Sequence, residues 1–182
     1  MTRNTKTVTI DVQINLAKCS IPQVTDTAVW SHLTSGAWRY YNNNPANNAT
    51  YGKLYNWYAV NDSRGLAPQG WHVPSEAEWT KLVDTCLGGS TIAGSKMKEI
   101  GTAHWTSPNA GATNSSGFTA LGGGYFFQGL FYDFGNYGFW WSTTENNTLN
   151  ATGFLLGSAI AGAYVSPFNE KISGFSVRLI KD

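Results

Sequence analysis

The sequence predicts an α+β domain, on three observations. A capped helix and a second helical stretch lie mid-chain, the last third is a succession of short β-runs separated by glycine, and an alternating strand stands alone near the N-terminus. Helices followed by a run of strands, rather than alternating with them, is the element order of α+β folds. At 182 residues the chain reads as one domain, 1–182, large enough for a real core. No repeat of fixed period interrupts it.

The elements follow in order. Residues 7–14 read TVTIDVQI, with Val8, Ile10, Val12 and Ile14 on one face, which predicts a half-buried strand. Residues 18–50 read as mostly irregular, and NNNPANN at 42–48 as a loop about Pro45. In YGKLYNWYAV, 51–60, the residues Leu54, Tyr55, Trp57 and Tyr58 recur at helical spacing and predict a short buried helix. Pro68-Gln69-Gly70 predicts a turn. Ser75-Glu76-Ala77-Glu78 fits a capping box, in which Ser75 accepts from the Glu78 N–H and Glu78 reaches back to the Ser75 N–H. Trp79, Leu82 and Val83 form that helix's apolar stripe and Gly88-Gly89 its stop. A second helical stretch is predicted at 95–100.

Beyond Gly101 the pattern becomes strand-like, and 117–182 is read as a β-rich ligand-display region. The glycines of GGGY, 122–125, are read as permitting turns between strands. Trp140 and Trp141 are adjacent on one such strand and so point to opposite faces, one free to sit in a core and the other to reach a surface. Trp71, Trp79, Trp140, Phe175 and Val177 are assigned to the core.

Composition narrows the function classes. Charged residues make up 13%, against a usual ~25%, and the net charge is +1, which excludes a basic stripe for nucleic acid or an acidic tail. Aromatics at 14% and 20 glycines take their place. No apolar run is long enough to span a membrane, and MTRNTKTVTI lacks the apolar stretch of a signal peptide. Cys19 and Cys86 form no CxxC motif; pairing between them requires a geometry that sequence does not specify.

Residues for chemistry are sparse. His32, His72 and His104 lie in no zinc-binding spacing, and His72 in GWHVPS and His104 beside Trp105 read as histidines satisfied by backbone. GGGY lacks the context of a phosphate loop, and Ser142 lacks a nucleophile elbow. Glu145, after WWSTT, is the exception among the carboxylates: it is suited either to accept hydrogen bonds from a ligand or to hold a loop through backbone N–H groups. The chain is therefore read as a non-enzyme with no metal and no cofactor. The aromatics from Phe126 to Trp141 are too many to be interior if the strands have a free face, and an exposed apolar patch marks a contact site. The competing reading is a sheet covered on both sides.

Five blocks, YGKLYNWYAV (51–60), GLAPQGWHVPSEAEW (65–79), GTAHWTSPNAGATNSSGFTALGGGY (101–125), YGFWWSTTE (137–145) and GFSVRLIKD (174–182), together resemble the Fibrobacter succinogenes major paralogous domain, in order and from about residue 7 to 182. The resemblance implies a C-type-lectin-like fold, with two short helices and small antiparallel sheets, related to that of formylglycine-generating enzymes. It also implies an extracellular or cell-surface protein, often a lipoprotein module, with a virion surface as the alternative. Some proteins of this broad fold are variable proteins of diversity-generating retroelements, whose varied segment would correspond to 126–173 here. Two departures stand out. Ala67 and Leu179 occupy positions where relatives often carry cysteine, and the calcium-dependent sugar motifs of true C-type lectins are absent.

The expected function is non-catalytic binding of a protein or glycan ligand by a C-terminal surface, on a module expected to be monomeric, without nucleic acid or a membrane span. The candidate ligand-binding residues are Phe126, Phe127, Leu130, Tyr132, Asn136, Phe139, Thr143, Glu145, Asn147, Phe154, Leu156, Tyr164 and Phe168. The aromatics would serve as anchors, with Thr, Asn and Glu giving orientation. The alternatives are a structural or adhesive surface module that self-associates, and an enzyme of the formylglycine-generating type, which would need a reactive cysteine.

Overall fold

A computed structural model describes residues 21–182. The predicted strand at 7–14, and Cys19 with its pairing to Cys86, lie outside the described residues. Within them, short helices and small sheets surround one larger sheet, as the α+β reading requires. Two two-stranded antiparallel pieces, β1 (Trp38–Arg39) with β2 (Leu54–Tyr55) and β3 (Trp71–His72) with β9 (Ile180–Lys181), flank a five-stranded sheet. That sheet has the order β5-β4-β6-β7-β8, from β4 (Gly123–Phe127), β5 (Leu130–Phe134), β6 (Tyr137–Glu145), β7 (Asn150–Gly157) and β8 (Ala163–Glu170). It is not wholly antiparallel, because β4 and β6 run parallel and meet at Gly124 and Gly138.

Past that meeting point the sheet splits, and residues 174–176 enter the gap. Phe126 and Gly174 exchange both backbone bonds, at 3.0 and 2.8 Å. On the other side Ser176 donates to Phe139 and accepts from Trp141, both at 3.0 Å. The penultimate segment is thus stitched between two strands that the chain laid down earlier, and the sheet curls around it.

The helical predictions fare unevenly. The capping box forms as expected: Glu78 N–H donates to Ser75 Oγ at 3.3 Å, and Ser75 N–H donates to Glu78 Oε2 at 2.8 Å. The helix it starts, α4 (Glu76–Lys81), runs on through a π-helical turn over Leu82–Cys86 and stops at Gly88 and Gly89, both at positive φ. The second helix, α5, is Ala93–Met97 rather than 95–100, since Lys98 is already extended with ψ 143°. The single helix predicted over 51–60 is incorrect. Gly52 at φ 73° ends the one-turn α2 (Asn48–Tyr51), β2 follows, and Asn56 caps a fresh turn, α3 (Trp57–Val60), by accepting from the Ala59 N–H at 3.1 Å. Another one-turn helix, α1 (Thr27–Trp30), lies in the stretch read as irregular.

The GGGY glycines are not turns either. Gly123 and Gly124 are buried inside β4. Gly124 has φ +63°, and a Cβ there would meet the carbonyl oxygen of Tyr132 and sit 2.7 Å from the Tyr41 ring, so the close β4–β5 pairing requires glycine.

The sheet is covered on both faces. Trp140 and Trp141 do point to opposite sides, but both are buried, at 3% and 0% exposure. Neither reaches the surface that sequence offered to one of them. Trp140 packs with Trp79, Phe154 and Leu156 beneath α4 and α5. Trp141 packs with Trp57, Val73 and Phe175 beneath α3. Of the other residues assigned to the core, Trp79 and Phe175 are buried, Val177 is half-buried against the second cluster, and Trp71 is half-exposed on β3.

A third cluster, around Trp30, Leu54 and Phe126, encloses a charge. The Arg39 guanidinium is fully buried 3.8 Å over the Phe126 ring and 4.8 Å from that of Trp30. It donates to the Thr25 carbonyl, yet its Nε and Nη1 have no acceptor, and burial pushes its pKa down to about 10. A buried charge so poorly satisfied stabilises little that an apolar side chain of like shape would not. Arg39→Met is therefore expected to leave the unfolding free energy within about 1 kcal/mol of wild type or to raise it, as read by urea denaturation. A loss above about 3 kcal/mol would mean that the cation–π contacts outweigh the desolvation.

Candidate functional site

One row of side chains crosses the whole five-stranded sheet. In β4–β5 the register sets Tyr125 opposite Tyr132, and in β6–β7–β8 it sets Phe139 opposite Leu155 and Leu155 opposite Tyr164. Directly opposed residues share a face, so these belong to one side of the sheet. The rings join the two halves: Tyr132 to Tyr125 at 5.4 Å, Tyr125 to Phe139 at 4.8 Å, and Tyr137, one pleat along β6, to Phe139 at 6.0 Å. Phe175 underlies the middle of the row, 4.9 Å from Phe139. The row lies where the cover of the Trp141 side thins out. Tyr125, Tyr132, Tyr137, Phe139 and Leu155 are half-buried, and Tyr164 on the edge strand is 42% exposed. Burial and the nearby Asp133 and Tyr132 hold the Tyr125 hydroxyl above its ordinary pKa, so it remains a neutral donor.

The thirteen sequence candidates scatter over this framework. Tyr132, Phe139 and Tyr164 fall in the row. Phe126, Phe154 and Leu156 do not belong to any surface: all are 1% exposed or less, the first in the Trp30 cluster and the other two beneath α4. They were selected as aromatic or apolar residues on strands expected to have a free face, and the sheet is covered on the face they occupy. Phe127 and Leu130 pair at the tip of the β4–β5 hairpin, where Leu130 is exposed. Asn136 is exposed after β5 and accepts from Thr106 Oγ1 at 2.6 Å. Thr143, Glu145, Asn147 and Phe168 lie around the far end of the β6–β7 hairpin, with Phe168 75% exposed.

Two of these have local duties. Asn147 Oδ1 accepts from the N–H groups of Leu149 and Asn150, at 2.9 and 2.8 Å, and shapes the hairpin turn. Glu145 pairs with the buried Lys171 ammonium, which also donates to the Thr148 carbonyl at 3.0 Å and lies 4.8 Å over the Trp57 ring. The partner that holds Glu145 is thus a cation rather than backbone N–H groups. Sequence reasoning missed Tyr125, Tyr137 and Leu155. The signal available was alternation and register: Tyr137 sits two residues from Phe139, Leu155 pairs with Phe139 and Tyr125 with Tyr132, but the strand pairings were not legible.

The histidines do not behave as expected. His72 is held by two carboxylates rather than by backbone: Nδ1 to Asp182 Oδ1 at 2.6 Å and Nε2 to Glu78 Oε1 at 2.8 Å. This joins the end of β9 to the capping box of α4. His104 likewise bonds Glu99, at 2.8 Å, and lies edge-on to Tyr51. Hydrogen bonds that His72 donates to Asp182 and then Glu78 raise its pKa, while backbone bonding at Ser75 lowers that of Glu78 to about 2. Raised in the folded state, His72 contributes stability that is complete below its ordinary 6.5 and is lost as pH climbs through the raised value. Lowered, Glu78 contributes stability present above 4.5 and lost as pH falls toward 2. The difference in Tm between wild type and His72→Gln is therefore expected to be largest below about pH 6.5 and to shrink as pH climbs through the raised His72 value, as measured by scanning calorimetry in matched buffers. A difference constant with pH would mean that the two bonds are not formed.

Other chemistry has little to build on. Among the described residues no group of three or more His, Cys, Asp or Glu is placed to hold a metal ion. Ser142 is buried and donates to the Thr152 carbonyl at 3.0 Å. Cys86 is exposed at the end of the α4 helical segment. A shallow depression lined by Glu76, Thr80, Asp84 and Thr144 runs along α4. Among the described residues no helix is long and apolar enough to cross a membrane.

Comparison with known proteins places the chain in a family. The family model described as the Fibrobacter succinogenes major domain matches residues 1–181. No curated protein and no solved structure matches the chain.

Proposed function

We propose that this chain, which belongs to the Fibrobacter succinogenes major domain family, is a non-catalytic recognition module that binds a ligand through the C-terminal strands of a C-type-lectin-like scaffold. The observation that carries this reading is the row from Tyr132 to Tyr164, aromatic side chains left half-exposed on a sheet that is otherwise closed on both faces. Half-exposed aromatics offer large contact area at little cost in side-chain entropy. The row draws on all five strands, so a rigid core fixes its geometry before any ligand arrives. Display at an extracellular or cell surface is part of the same reading, and so is variation of the 126–173 segment. A non-coding near-copy of the 3′ end beside the gene, differing chiefly at adenines of codons in that segment, would support the variation.

The binding test uses the whole protein, labelled, on arrays of surface polysaccharides and of extracellular proteins, beside Tyr164→Ala. Saturable binding to at least one class, lost in the variant while Tm holds, is the expected result. Binding that Tyr164→Ala leaves intact would remove the row as the site. Failure to bind either class would remove the reading.

A further inference from the structure

We infer that the row is a docking face for an extended, uncharged polysaccharide. The inference rests on the recognition reading above and names its ligand class. Three features of the row select that class.

The first is charge. The row's residues, Tyr132, Tyr125, Phe139, Tyr137, Leu155 and Tyr164, carry no ionic side chain. The ionisable group that acts on it is Asp133, whose charge helps keep the Tyr125 hydroxyl protonated. A nucleic acid or an acidic polymer needs cations to displace its counterions, and would meet a carboxylate at this end instead. A face without cations suits a ligand without charge.

The second is the pairing of ring and hydroxyl. Four of the six side chains are tyrosines. Each presents an apolar ring with a hydroxyl at its tip, able to donate and accept. A pyranose has the complementary anatomy, with apolar C–H faces and a rim of hydroxyls. A purely apolar partner would leave those hydroxyls desolvated without partners, at about 1–3 kcal/mol each.

The third is shape. The row draws side chains from five strands, with the 174–176 segment set between β4 and β6, and is several side chains long and one or two wide. A small metabolite is held in a concavity that surrounds it. A narrow row of several side chains on a sheet matches several consecutive units of a chain.

The test is native gel electrophoresis of the intact protein through gels containing hydroxyethylcellulose, xyloglucan or galactomannan, with alginate as a polyanion control, at low and high salt. The expected result is retardation by at least one neutral polymer, unchanged by salt. Tyr164→Ala is expected to weaken it about tenfold, as the loss of one aromatic contact allows. Tyr164 is an exposed edge position, so this variant is expected to fold; Tyr137→Ala serves as a second, and near-UV circular dichroism checks both. Retardation by alginate alone, abolished by salt, would overturn the inference, as would retardation indifferent to both substitutions. Should no neutral polymer retard the protein, the inference falls. The array result then separates the two readings: a protein ligand lost in Tyr164→Ala keeps the recognition module and discards the polysaccharide, and binding to neither class discards both.

Discussion

Replacing Lys98 with methionine is expected to lower the unfolding free energy by about 2–5 kcal/mol, the cost of leaving enclosed carbonyls without their donor. Lys98 is fully buried just beyond α5. Its ammonium donates to the carbonyls of Ala110, Gly157 and Ile160, at 3.1, 2.9 and 2.7 Å, and lies 5.7 Å from the Trp105 ring. These three bonds use its full donor capacity. They also tie the loop at 110 to the end of β7 and the turn that leads into β8, so one side chain fixes where the edge strand carrying Tyr164 begins. Methionine keeps most of the apolar stem and takes the donor from the carbonyls of Ala110 and Ile160, each costing about 1–3 kcal/mol, while the Gly157 carbonyl keeps the Ile160 N–H at 3.4 Å. Lys81→Met on the exposed side of α4 is the control, expected to change stability by less than about 0.5 kcal/mol. The pH profile gives an independent check. Burial pushes the Lys98 pKa down from 10.5 to about 8. Between those values the unfolded chain holds a proton that the folded protein has released, so this group makes stability rise with pH there. The stability of Lys98→Met relative to wild type should accordingly fall as pH climbs from about 8 to 10.5. A parallel pair of profiles would mean that the ammonium is solvated.

What the sequence made legible was what depends on neighbours a few residues apart. The capping box at Ser75 and Glu78 has a fixed spacing and a local mechanism, and it formed as read. The glycine stop at 88–89 is equally local. The helix predicted over 51–60 failed because apolar spacing alone did not weigh Gly52, whose positive φ ends one turn, or Asn56, whose side chain starts the next. Lys98 and Arg39 were passed over, and His72 misread as satisfied by backbone, for a different reason: partners lie 12 to 62 residues away in the case of Lys98, and 110 for the His72–Asp182 bond. No local pattern marks a lysine that will be enclosed. The candidate site was half legible on the same principle. Alternation separates Phe139 from its neighbour Trp140, but the row exists only because β4 lies beside β6 and the 174–176 segment brings Phe175 beneath it. Which strands become neighbours is decided by the whole fold, and with it whether Phe126 and Phe154 face a ligand or a core.

Trp140→Ala and Trp141→Ala are each expected to cost about 3–5 kcal/mol, the range for truncating a buried tryptophan. If one face of the sheet were solvated, one of the two would cost less than about 1 kcal/mol, so the pair measures whether both faces are closed. Trp141 is expected to cost about 1 kcal/mol more, because the bond from its indole N–H to the Tyr55 carbonyl, 2.8 Å, is lost, although that carbonyl keeps the Phe175 N–H at 3.0 Å. The two variants should also differ in function. Trp141 stacks on Phe175 at 4.3 Å, and Phe175 in turn underlies Phe139 and Tyr125, at 4.9 and 6.0 Å. A cavity at Trp141 gives Phe175 room to drop and lets the middle of the row sink with it. Trp140 lies on the other side, against Phe118 and Phe154, and supports no residue of the row directly. At a temperature where both variants remain folded, Trp141→Ala is therefore expected to weaken ligand binding severalfold while Trp140→Ala binds as wild type does. Equal loss in both would trace binding to global stability rather than to the position of the row. The tryptophan doublet would then serve two ends by its alternation alone: one ring closes the helix-covered core, and the other is the floor on which the display surface rests.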